Sequence, residues 1–78
     1  MKKVYLAIAD AINEVMNGKI IHYFVDGCHS IIKKISTTSY KFITNVNKSN
    51  ECVRYGVLQN VIKVLNRRDI EDCYYLIE

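Results

Sequence analysis

The sequence contains no proline and only three glycines in 78 residues. That excludes a proline-rich linker and a collagen-like repeat. It also lacks long apolar runs. The longest stretch without a charged side chain is 55–62, eight residues, too short for a membrane span or for a secretory core with its cleavage site. A cytoplasmic protein is expected. Cysteine is sparse and odd in number: Cys28, Cys52 and Cys73, with no C-x-x-C pair. An even disulfide framework is therefore not expected, and thiols in a reducing compartment are. Cys28 and His29 are adjacent rather than spaced as metal ligands usually are, so no metal site is expected. A dinucleotide glycine motif, a phosphate loop and an H-E-x-x-H pair are all missing, and no cofactor is expected.

What remains is an ordinary globular composition, 50% hydrophobic and 24% charged. A chain this short buries only about 60–65% of the surface that its unfolded form exposes, so one small domain must use its core economically. The net charge of +3 is unevenly distributed. Residues 19–48 carry five lysines against Asp26, and 49–68 carry Arg54, Lys63, Arg67 and Arg68 against Glu51. The last ten residues hold Asp69, Glu71, Asp72 and Glu78 and no base. A basic body attracts nucleic acid through counterion release, although solvated lysines that merely keep a small domain soluble give the same pattern.

Hydrophobic periodicity predicts a helix over 3–17, with Val4, Ile8, Ala11, Ile12 and Val15 on one stripe and Asn17-Gly18 as its stop. From Ile20 the pattern becomes β-branched and aromatic. Asp26-Gly27 reads as a two-residue hairpin turn between strands 20–25 and 28–35. That turn pairs Val25 with Cys28, Phe24 with His29, and His22 with Ile31. His22, Phe24, His29, Ile31 and Lys33 then share one face. Tyr40 to Val46 reads as a third strand. A second helix is expected over 53–66, with Gly56 in its first turn. Residues 70–77 lean to a strand, and no internal repeat is legible. The expected fold is α+β in the order α-β-β-β-α. Two helices pack on one face of a three-stranded antiparallel sheet in a single domain over 1–66, followed by an acidic extension over 67–78 with a short extra element. One reading of that extension is that 69–78 adds to a sheet edge or to a partner and tunes nucleic-acid access.

In order and interval, Asn17-Gly18, Gly27-Cys28-His29, Thr44-Asn45-Val46 and Gly56-Val57-Leu58-Gln59-Asn60-Val61-Ile62-Lys63 resemble the HicA family of mRNA-interferase toxins over about residues 4–65. That family shares the double-stranded-RNA-binding-domain arrangement. Cys28 stands where the family usually has serine, and Asn47-Lys48 replaces its Pro-His. The Lys-Lys-x-x-Lys run of double-stranded-RNA-binding domains is absent from 49–56.

The resemblance implies metal-independent endoribonuclease action with His29 as the catalytic acid or base, and a HicB-type antitoxin as partner. An imidazole suits that role because it titrates near neutral pH. Gly27, Lys33, Lys34, Lys48 and Arg54 are the candidate RNA-binding residues, and Lys33 shares the hairpin face of His29. The aromatics Tyr23, Phe24, Tyr40 and Phe42 have two uses, base stacking or core, and a small sheet needs its core first. Cys28 has no third group to stabilise a thiolate, so packing is its expected role. Two other classes stay open. One is a non-enzymatic interaction module, of phage or mobile-element origin, that binds and inhibits a host protein. The other is nucleic-acid binding without cleavage. Homodimerisation is open as well.

Overall fold

The computed structural model describes residues 2–25, 27–66 and 73–78. Along the chain these form β1 (Lys3–Leu6), α1 (Ile8–Met16), β2 (Ile21–Val25), β3 (Cys28–Lys34), β4 (Tyr40–Thr44), β5 (Cys52–Gly56), α2 (Leu58–Asn66) and β6 (Tyr74–Ile77). The strands make one six-stranded sheet in the order β1-β6-β2-β3-β4-β5, every neighbouring pair antiparallel. The expected three-stranded α-β-β-β-α arrangement is therefore incorrect. Each of the two expected helices divides into a strand and a shorter helix. Residues 3–6 alternate between exposed Lys3 and Tyr5 and half-buried Val4 and Leu6, a period of two. In so short an apolar run that alternation is easily absorbed into a helical stripe. Residues 52–56 divide off in the same way, and Gly56 ends β5 instead of entering a helix.

The strand expected near the C-terminus forms as Tyr74–Ile77, but inside the sheet. It lies between β1 and β2, not on an edge. Reciprocal backbone bonds between Lys2 and Glu78, each 2.9 Å, extend its ladder with β1. The expected tuning segment otherwise falls largely on 69–72, outside the described residues.

Both helices are nine residues long and bury equivalent positions, the fourth and the eighth: Ala11 and Val15 in one, Val61 and Leu65 in the other. These pack on Ile21, Tyr23, Ile32, Tyr40, Phe42, Tyr74 and Leu76 to make the core. Carbonyls near both helix C-termini are taken up by the sheet. Lys34 Nζ donates to Met16 O at 2.9 Å, and the Tyr74 hydroxyl donates to Leu65 O. The stop at 17–18 is a Schellman turn. Gly18 N donates to Val15 O and Lys19 N to Glu14 O, with Gly18 at φ +92°, the left-handed region open to glycine. Both helices lie on the same face of the sheet. Among the described residues no layer covers the other face.

Candidate functional site on the open face of the sheet

The β2–β3 pairing fixes this face. Val25 pairs with Cys28, Phe24 with His29 and His22 with Ile31, the register expected from the turn, and Gly27 takes φ +79°. Continued across the sheet, the register sets one row from edge to edge: Tyr5, Tyr75, His22, Ile31, Ile43, Val53. On one side of that row stand Phe24 and His29. On the other are Lys3 opposite Ile77, and the line Lys33, Lys41, Tyr55. All of these side chains project to the uncovered side because strand residues alternate.

At the centre, His22 Nδ1 and His29 Nε2 are 2.9 Å apart, one imidazole N–H donating to the lone pair of the other. The ring centroids are 5.1 Å apart and the planes differ by 16°, so the rings meet edge to edge in nearly one plane. Around them the aromatic rings run close to parallel. His22 is 5.1 Å and 12° from Tyr75, and Phe24 is 5.4 Å and 27° from His29. Tyr5 tilts onto Tyr75 at 5.5 Å, and Lys3 Nζ sits 4.8 Å from the Tyr75 ring centre, a cation–π contact. Tyr75 is 4% exposed beneath these neighbours, whereas Tyr5, Phe24 and Tyr55 keep 53, 43 and 65% of their surface in water. Tyr75 anchors the cluster, and the other three present usable ring faces.

Burial holds the His22 pKa below the ordinary histidine value, and charge on His29 and then on Lys3 lowers it further. His22 is therefore neutral at physiological pH. Each ring keeps one nitrogen outside the mutual bond, Nε2 of His22 and Nδ1 of His29. The pair thus offers both an acceptor and a donor for proton transfer. The charged strand residues of this face are Lys3, Lys33 and Lys41, and no carboxylate is among its described strand residues.

The structure brings His29, Gly27 and Lys33 to this face or its rim. Lys48 is exposed in the β4–β5 connection, whose Val46 N donates to His29 O at 2.9 Å. Lys34 and Arg54 point to the opposite, helix-bearing side, Lys34 onto the end of α1. Of the four aromatics with two expected uses, Tyr23, Tyr40 and Phe42 are core and Phe24 is on the open face. Sequence reasoning placed His22 beside His29 but not their bond. It missed Lys3, Tyr5 and Tyr75, because β1 and β6 bring them in from the two ends of the chain.

All three cysteines are free thiols, half-buried. Among the described residues no group of histidine, cysteine or carboxylate side chains is arranged to hold a metal, and no helix is long and apolar enough to cross a membrane. No protein-family model, curated protein or solved structure matches the chain.

Proposed function

We propose that the protein acts on single-stranded RNA bound across the open face of its sheet, with the His22–His29 pair supplying acid–base chemistry at a ribose 2′-hydroxyl. The observation that carries this reading is the chemistry of that face: exposed Tyr5, Phe24 and Tyr55 interleaved with Lys3, Lys33 and Lys41, without a carboxylate among its described strand residues. Exposed rings stack on any base, and lysines track the phosphates. A single strand offers its bases to such a surface, whereas a duplex hides them.

In the cleavage step a histidine takes the 2′-hydroxyl proton while the 2′-oxygen bonds to the adjacent phosphorus. The P–O5′ bond breaks and the second histidine gives a proton to the departing 5′-oxygen. The products are a 2′,3′-cyclic phosphate and a 5′-hydroxyl. A positioned acid or base contributes about 10²–10⁴-fold each, and the lysines stabilise charge on the phosphorane-like state.

Ile31, Ile43, Val53 and Ile77 on the same face favour a second reading, an interface for a protein such as an antitoxin or a host target. One experiment separates the two. Anisotropy of labelled oligouridylate, its 2′-deoxy analogue and a duplex of equal length should show single-strand preference and weaker binding at higher salt. The ribose strand alone should be cut, by wild type and not by His29→Ala. Binding that ignores salt and strandedness leaves the protein-partner reading. Salt-sensitive binding with intact RNA leaves binding without cleavage.

A further inference from the structure

Two nine-residue helices do not cover a six-stranded sheet completely, and the uncovered part of the helix-bearing side is a cleft of about 450 Å³. Its floor is apolar, from Tyr23, Val25 and Phe42, and α2 walls it with Asn60 and Val64. Site volumes of about 300–1,000 Å³ suit small organic ligands. The sheet register explains the polar end. Ile21, Ile32 and Phe42 form a cross-strand row of core residues, and the next residue in that row is Arg54 on the edge strand β5. An apolar trough therefore ends in a guanidinium.

The lining also holds two neutral hydrogen-bonding groups, Thr44 and Asn60. Asn60 is held in place. Its Oδ1 accepts from Val57 N at 2.9 Å, the reach-back bond of a helix N-terminus, and this leaves its NH2 end to donate. Gly56 makes room for it, since a Cβ at Gly56 would lie 2.7 Å from Asn60 Oδ1. Among the described residues Arg54 is the one charged residue in the lining.

From this we infer that the cleft binds a small carboxylate with an apolar body, the carboxylate on Arg54 and the body along Tyr23, Val25 and Phe42. Charge count selects a monoanion, because a dianion would find one cation and leave the second charge uncompensated against apolar walls. The planar fork of arginine matches a carboxylate in bidentate fashion. Arg54 and the apolar floor lie on the opposite side of the sheet from the RNA surface, and only Tyr55, on the edge strand β5, borders both.

The test is a titration of isotopically labelled protein with octanoate and with octanol, followed through backbone amide shifts. Octanoate should saturate, moving amides near Phe42, Thr44, Arg54 and Asn60, and bind at least tenfold more tightly than octanol. Arg54→Gln should bring the two probes to near parity with unchanged thermal unfolding, since Arg54 is exposed. Arg54→Lys should fall between. Equal affinity of the two probes for wild type, no saturable shift, or shifts confined to the open face would overturn the assignment. Oligouridylate binding by Arg54→Gln should equal that of wild type, so failure of this site and failure of the RNA surface are read separately.

Discussion

His22 and His29 are joined by a 2.9 Å nitrogen–nitrogen hydrogen bond across the β2–β3 hairpin, on adjacent strands but not in directly opposed positions. His22 is paired with Ile31 and His29 with Phe24, so the bond is a diagonal one. Diagonal partners are within reach of long and aromatic side chains on a sheet. The bond tolerates one shared proton but not two, because a doubly protonated pair has no lone pair to accept.

A stability profile against pH follows from His22. Its folded pKa is lowered, chiefly by burial. Below about pH 6.5 the unfolded chain binds the proton more readily than the folded one, so stability falls as the solution is acidified. The loss grows until pH drops through the lowered folded value and is complete below it. Denaturant unfolding at pH 7.5, 6.5 and 5.5 should show this fall, and His22→Gln should flatten it.

Replacing Tyr74 by phenylalanine should destabilise the fold by about 1–3 kcal/mol, because Leu65 O near the end of α2 loses its donor inside the core. Ile32→Ala, at a fully buried position of the central sheet, should cost about 2–5 kcal/mol. Both are measured by urea unfolding, and the second is a large share of the stability of a domain this size.

Gly56→Ala and Asn60→Ala should not add. The first forces the Asn60 side chain out of its bond to Val57 N, and the second removes that side chain. Asn60→Ala alone should cost about 1 kcal/mol, as loss of a helix-end cap does. In the double variant the Gly56 change should become nearly silent, a coupling that a double-mutant cycle reads directly.

The lysines of the open face make a quantitative salt prediction. Neutralising one lysine that pairs with a phosphate should reduce the slope of log K against log salt by about 0.7 for a single strand. Lys33→Gln and Lys41→Gln should each show that reduction with oligouridylate. Lys34→Gln, whose amine is bound to Met16 O on the other side, should leave the slope unchanged and lower stability instead.

The sequence made the hairpin legible down to its register, because Asp26-Gly27 has few alternatives as a two-residue connection and alternation then assigns each face. That was enough to place His22, Phe24, His29 and Lys33 together. The helical stripes at Ala11, Val15, Val61 and Leu65 were legible for the same reason of strict period. The edge strands were not. Lys3–Leu6 and Cys52–Gly56 are four and five residues long and run directly into helices, so the apolar positions Val4 and Val57 extend a helical pattern that begins only at Ile8 or Leu58. Missing β1 also hid why Tyr75 matters. Tyr5 and Lys3, from the other end of the chain, close over its ring beside His22.

The central claim is that the uncovered face of the sheet receives a single strand. Chemical-shift mapping of labelled protein with oligouridylate tests it most directly. The account predicts that the signals of Tyr5, His22, Phe24, His29 and Lys33 move together, and that Phe24→Ala weakens binding at least tenfold without loss of fold. Shifts centred on α1 and α2 would contradict it, and so would unchanged affinity in a folded Phe24→Ala protein.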